Sequence, residues 1–121
     1  MISIVDDDES VRESTKSLVR SLGYVARTFA SAEEFLGADT DDTSCLILDV
    51  QMKGLSGPDL QERLIAQGRR VPIIFVTAFT DERTRSHVLE AGAVDFLSKP
   101  FSDDKLTTCI DSALARRVED K

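Results

Sequence analysis

Asp49 closes the apolar run Leu46-Ile47-Leu48, which places a carboxylate where a buried strand would end. Other apolar runs end on groups that suit it. Ile2–Val5 runs into Asp6-Asp7-Asp8, Val71–Val76 runs into Thr77, and Val94–Leu97 is followed by Ser98-Lys99-Pro100. Three carboxylates brought within a few ångströms of one another repel, and at neutral pH they need a cation. No His or Cys lies in these tips, so the donors are hard oxygens that fit Mg²⁺, with Mn²⁺ as a substitute. Lys99 would add a second positive charge and Thr77 a hydroxyl donor. Together they would balance the anionic oxygens of a phosphoryl group bonded to Asp49, a carboxylate being a competent covalent nucleophile.

The elements that must deliver these groups follow from the pattern between them. Ile2–Val5 is short and apolar, a buried strand. Val11, Leu18, Val19 and Leu22 recur at helical spacing after it, up to Gly23. Tyr24–Phe29 is a more mixed strand, as an edge would be. Ser31 with Glu34 three residues on is a capping-box start for a second helix. Gly37–Ser44 is polar and reads as a surface loop. Strand three is Cys45–Leu48, ending at Asp49, and the segment from Val50 to Gly57 is a loop. Pro58 suits the first turn of a third helix, with Leu60, Leu64 and Ile65 as its inward stripe and Gly68 as its stop. Val71–Val76 is strand four, with Pro72 tolerated near its start. Asp81 and Glu82 favour the start of a fourth helix, Val88 and Ala91 are its core candidates, and Gly92 closes it. Val94–Leu97 is strand five. Ser102 caps a last helix whose inward residues are Leu106, Ile110, Ala113 and Leu114, and the charged end Arg116–Lys121 is expected to fray.

Strand and helix thus alternate five times with short links. The expected fold is α/β: a five-stranded parallel sheet of order 2-1-3-4-5 with helices on both faces, flavodoxin/CheY-like. In that order the first and third strands are neighbours at the point where strand order reverses. Asp6 and Asp7 then face Asp49 across about one interstrand spacing, roughly 5 Å.

The totals bound the remaining possibilities. A chain of 121 residues is one domain, 1–121, and 41% apolar against 31% charged residues is a globular composition. A net charge of −7 argues against a nucleic-acid surface on this domain. No apolar run approaches the roughly 20 residues that span a bilayer, and Asp6 interrupts any signal sequence. Cys45 and Cys109 form no CxxC pair and read as reduced, buried thiols, so the cytoplasm is the expected compartment. His87, the single histidine, stands among Arg83, Arg85 and Glu90 and reads as part of a solvated helix face. Asp8 and Glu9 read as a favourable helix start.

The sequence resembles the receiver domain of two-component response regulators, and within them the FixJ-like class. The carriers are Ile4-Val5-Asp6-Asp7-Asp8 with Val11-Arg12, Leu48-Asp49-Val50-Gln51-Met52 with Gly57, Val76-Thr77-Ala78, Gly92-Ala93, and Lys99-Pro100-Phe101, in order over essentially the whole chain. The resemblance implies that Asp49 accepts a phosphoryl group from a cognate sensor histidine kinase. It implies metal binding by Asp7, by Asp49 and by the backbone carbonyl of Gln51, with Asp6 acting through a bound water. Thr77 would swing toward the phosphoryl group, Lys99 would pair with it, and Phe96 would be the aromatic switch that moves inward as Thr77 moves. A cis Lys99–Pro100 bond is also implied, as is a signalling face on helix four, strand five and helix five that serves a phosphorylation-dependent homodimer. Lys53 stands where a proline usually follows the Met, so a looser loop is expected. Gln51 and Phe79, each two residues beyond Asp49 and Thr77, flank the site, and apolar Phe79 would hamper attacking water.

The main rival is a haloacid-dehalogenase-like phosphatase, since Asp6-x-Asp8-x-Ser10 approaches its nucleophile motif. The chain is short for that family, has no cap domain and offers no late acidic pair at a strand end. A receiver without phosphoryl chemistry, serving only as an interaction module, is a third reading, against which stand Asp49, Thr77 and Lys99. With no effector domain in the chain, the expectation is a stand-alone receiver or a piece of a longer regulator. FixJ-like kinship favours the piece, its effector DNA-binding.

Overall fold

The computed structural model describes residues 1–119. Five strands and five helices alternate: β1 Ile2–Val5, α1 Glu9–Ser21, β2 Ala26–Phe29, α2 Ala32–Leu36, β3 Cys45–Asp49, α3 Gly57–Ala66, β4 Ile73–Thr77, α4 Glu82–Glu90, β5 Asp95–Ser98 and α5 Asp103–Glu119. The sheet is wholly parallel, in the order β2-β1-β3-β4-β5. Every residue of β1, β3 and β4 is buried, as expected of strands covered on both faces.

Alternation along the strands feeds two apolar layers. Leu46, Leu48 and Phe75 pack with Phe35 of α2, Leu60 and Leu64 of α3 and Val88 of α4. Ile2, Ile4, Ile47 and Ile74 pack with Val19 of α1 and Leu106, Ile110 and Ala113 of α5. Cys45 and Cys109 are unpaired thiols in this second layer, and burial, the largest cause, pushes each up to about 12.

Local chemistry sets the helix starts. Asp8 accepts from the Val11 N–H, Ser31 from Glu34, and Ser102 from Lys105. Ser56 and Asp59 form a reciprocal capping box around Pro58.

Several boundaries and burials differ from the sequence expectation. Tyr24 and Val25 precede β2, and Val71 and Pro72 precede β4, although the Pro72 carbonyl still accepts from Leu46. The strands β3, β4 and β5 carry on through Asp49, Thr77 and Ser98. Ile65 is 54% exposed rather than part of the α3 stripe, because Leu60, Gln61 and Leu64 already fill that face. Ala91 is the exposed C-cap of α4 and not core. The polar loop before β3 hides two hydroxyls: Thr43 bonds Ser3 at 2.7 Å, and Thr40 receives Arg69. As for the charged end Arg116–Lys121, α5 continues through Glu119, and residues 120 and 121 lie outside the described residues.

Candidate functional site

The register decides where the polar tips meet. Val5 pairs with Leu48 and Asp49 with Val76, so Asp6 emerges beside Asp49 at adjacent strand ends. Carboxylate oxygens of Asp6, Asp7 and Asp49 lie within 4.8 Å of one another, close enough to share one cation. Thr77 pairs with Ser98, and the Lys99 N–H donates to the Thr77 carbonyl at 2.7 Å. That bond turns Lys99 back over the sheet end, where Nζ donates to Asp6 Oδ2 at 3.0 Å and lies 3.5 Å from Asp49 Oδ1. The Lys99–Pro100 peptide is cis.

Electrostatics here are dominated by burial. Asp49 is 7% exposed, and its carboxyl is raised from 3.8 to about 6. Loss of hydration is the largest cause, the charge of Asp6 adds to it, Lys99 opposes it, and Asp7 contributes a smaller push upward. One cationic amine against three carboxylates leaves the cluster short of positive charge. A hard divalent ion with oxygen ligands would supply it.

The two buried carboxylates are not equivalent. Each oxygen of Asp6 already has a donor: Oδ1 accepts the Asp8 N–H at 2.9 Å and Oδ2 accepts Lys99. Its backbone carbonyl also receives Arg12 Nη1 at 2.8 Å. Asp49 Oδ2 accepts no hydrogen bond among the described residues and is not sealed from solvent. Asp49 thus keeps an open oxygen, and Asp6 does not.

Other expected site residues fall at the margin. The Thr77 hydroxyl donates to the Phe79 carbonyl at 2.9 Å and accepts the Phe79 N–H at 3.1 Å, so its bonds lie within its own loop rather than on the acidic cluster. Phe96 is buried on β5 opposite Phe75. Gln51 stands in the loop after β3 with its side chain exposed, and Phe79 is 69% exposed. Lys53 does not leave that loop unsupported. Its N–H donates to Asp7 Oδ2 at 3.2 Å, a bond that proline could not make.

Sequence reasoning assigned no role to Arg12, Gly57 or Glu33. A Cβ on Gly57 would lie 2.3 Å from the Asp49 carbonyl, so only glycine lets α3 approach the strand end. Its position in the Asp49 motif was the available signal. For Glu33 there was none.

The family description "Response regulator receiver domain" matches residues 2–111. This chain belongs to the response regulator receiver domain family. The receiver is 41% identical to the transcriptional regulatory protein TdiR of Thauera aromatica, over 99% of this chain and 54% of that protein. It is 40% identical to the transcriptional regulatory protein FixJ of Bradyrhizobium diazoefficiens, over 93% of this chain and 56% of FixJ. The receiver therefore spans about half the length of the curated relatives it matches. Among solved structures it superimposes on FixJ-N with a TM-score of 0.86 at 34% identity, covering 94% of this chain and 92% of that one. For the response regulator StyR the TM-score is 0.90 at 40% identity, covering 98% and 60%. No helix among the described residues is long and apolar enough to cross a membrane.

Proposed function

We propose that residues 1–121 form one receiver domain whose phosphoacceptor is Asp49. The carrying observation is the asymmetry between Asp6, with both carboxylate oxygens engaged, and Asp49, with Oδ2 open at the tip of β3. That oxygen attacks the phosphorus of a phosphohistidine on a cognate sensor histidine kinase. The P–N bond breaks, the imidazole leaves with the electron pair, and Asp49 becomes an acyl phosphate. Asp7, Asp49 and the Gln51 carbonyl would hold Mg²⁺, or Mn²⁺ in its place, and Asp6 would act through a bound water. Bound there, the ion would supply charge neutralisation at the transferring phosphoryl oxygens. Lys99 passes from Asp6 toward the new phosphoryl oxygens.

Thr77 carries the signal onward. Its hydroxyl leaves Phe79 for the phosphoryl group, Phe96 fills the space behind it, and the change is read on the face of α4, β5 and α5. A phosphorylation-dependent homodimer forms on that face. The receiver acts in the cytoplasm, without direct nucleic-acid or membrane contact, and governs transcription through a DNA-binding effector in the full protein. Turnover is limited to phosphoryl uptake and slow self-dephosphorylation.

The test is covalent labelling. With Mg²⁺ and radiolabelled acetyl phosphate, the wild-type chain takes up label and Asp49→Asn takes up none. Label that persists in Asp49→Asn but vanishes in Asp6→Asn would instead support the dehalogenase-like reading. A wild-type chain that never labels would leave only an interaction module.

A further inference from the structure

We infer that Glu33, on a helix outside the acidic cluster, is a positioning residue that clamps the loop after Asp49 for cation binding. The inference rests on the proposed cation site and extends it to α2.

Two neighbouring glutamates open α2, and they do different jobs. Glu34 is spent on the helix start: its N–H goes to Ser31 Oγ, and its Oε2 accepts the Ala30 N–H at 3.3 Å. Glu33 reaches across instead. Its Oε2 accepts the Leu55 N–H at 3.3 Å, and a Cβ placed on Gly54 would lie 2.4 Å from that same oxygen. The carboxylate therefore lies directly against the Gly54 backbone, which turns there with φ +76°. Two residues before Leu55, the same loop gives the Lys53 N–H to Asp7 Oδ2.

The three-residue segment Lys53-Gly54-Leu55 is thus held at both ends, by Asp7 on the cluster side and by Glu33 on the α2 side. The Asp7 carboxylate that Lys53 holds through Oδ2 is also one of the three in the cluster. The Gln51 carbonyl sits on this loop just upstream. Releasing the α2 end frees the loop to move and costs orientation at both donors.

Reach and charge can be separated by substitution. Glu33→Gln keeps the acceptor oxygen and chain length but loses the charge. Glu33→Asp keeps the charge but falls short by one methylene. Mn²⁺ affinity is measured by electron paramagnetic resonance on the full chain, with thermal melts alongside. The clamp predicts wild-type-like binding for Glu33→Gln and about three- to tenfold weaker binding for Glu33→Asp and Glu33→Ala, below the roughly 10- to 100-fold cost of removing a direct partner of a metal ligand, since Glu33 acts through the loop. The reverse ranking, Asp retaining affinity while Gln and Ala lose it, would reduce Glu33 to a distant charge and overturn the inference. Equal affinity in all four proteins would overturn it as well. A wild-type chain that binds no Mn²⁺ would defeat the cation site itself, a result distinct from either.

Discussion

Two pockets at opposite ends of the sheet carry opposite charge. At the carboxyl ends of the strands, Asp6, Asp7 and Asp49 crowd around a single Lys99. At the other end, a cleft of about 450 Å³ between the ends of α3 and α4 is lined by Arg69, Arg70 and Arg116 and by no carboxylate. Two of these arginines are already engaged. Arg69 spends an amine on both oxygens of Thr40 and stacks over Phe35, while Arg116 donates to the Gly92 carbonyl. These guanidinium groups serve carbonyls near the C-terminal ends of helices and loops, where cations are favourable. At the acidic end the excess charge has no such outlet. Charge clustering alone does not make a site; charge left without partners does.

That contrast can be broken most sharply at Lys99. Lys99→Met keeps the stem and removes the amine, so the metal-free fold should lose about 2 kcal/mol, less than the roughly 3–5 kcal/mol of a fully buried pair because Lys99 keeps some exposure. Saturating Mg²⁺ should recover most of it. Urea unfolding with and without Mg²⁺ reads both effects, and an unchanged metal-free midpoint would show the carboxylates to be less crowded than drawn.

The next test is pH. The folded state holds the Asp49 proton more tightly than the unfolded chain, because its carboxyl sits near 6 rather than 3.8. The stability this gives is present below about pH 4 and is lost as pH rises through about 6. In metal-free buffer, Asp49→Asn should therefore gain on wild type by about 1–2 kcal/mol between pH 4 and 7. Mn²⁺ binding should weaken as pH falls through about 6, since the proton and the ion compete for one carboxylate. A binding constant flat from pH 5 to 7.5 would remove Asp49 from the ligand set.

A smaller effect is expected at Phe79, whose side chain flanks the site. Phe79→Glu offers attacking water a basic partner and should shorten the acyl-phosphate lifetime roughly three- to tenfold. An unchanged or longer lifetime, followed by loss of radiolabel, would count against the idea.

The smallest effect belongs to the basic cleft. Five residues of β3 separate the ends by roughly 16 Å, about twice the screening length at physiological salt. Arg70→Gln should leave Mn²⁺ affinity within about twofold at that salt. A larger change would mean that the ends communicate through structure.

Strand tips were the legible part of this fold. Asp49, Asp6, Thr77 and Lys99 each follow an apolar run, and the alternation of strands and helices fixed which tips converge. What escaped depends on contacts between distant segments. Ile65 fits the α3 period, but Gln61 takes the buried place because its Nε2 reaches the Val88 carbonyl at 3.0 Å across to α4. Thr40 and Thr43 read as loop surface because their partners, Arg69 and Ser3, lie 29 and 40 residues away. Nothing in residue type marks Glu33, because its reach to Leu55 spans 22 residues. Thr77 sat where expected, but its present hydroxyl partner, Phe79, is a matter of rotamer and loop shape that residue type does not encode.

The two thiols have a practical consequence. Alkylation needs the thiolate, and both native sulfurs are buried and remain protonated far above neutral pH. The chain also has no tryptophan. A cysteine introduced on the solvent side of α4 would be the preferred target for a maleimide dye in an optically quiet background, making the domain convenient for testing the proposed conformational change in real time.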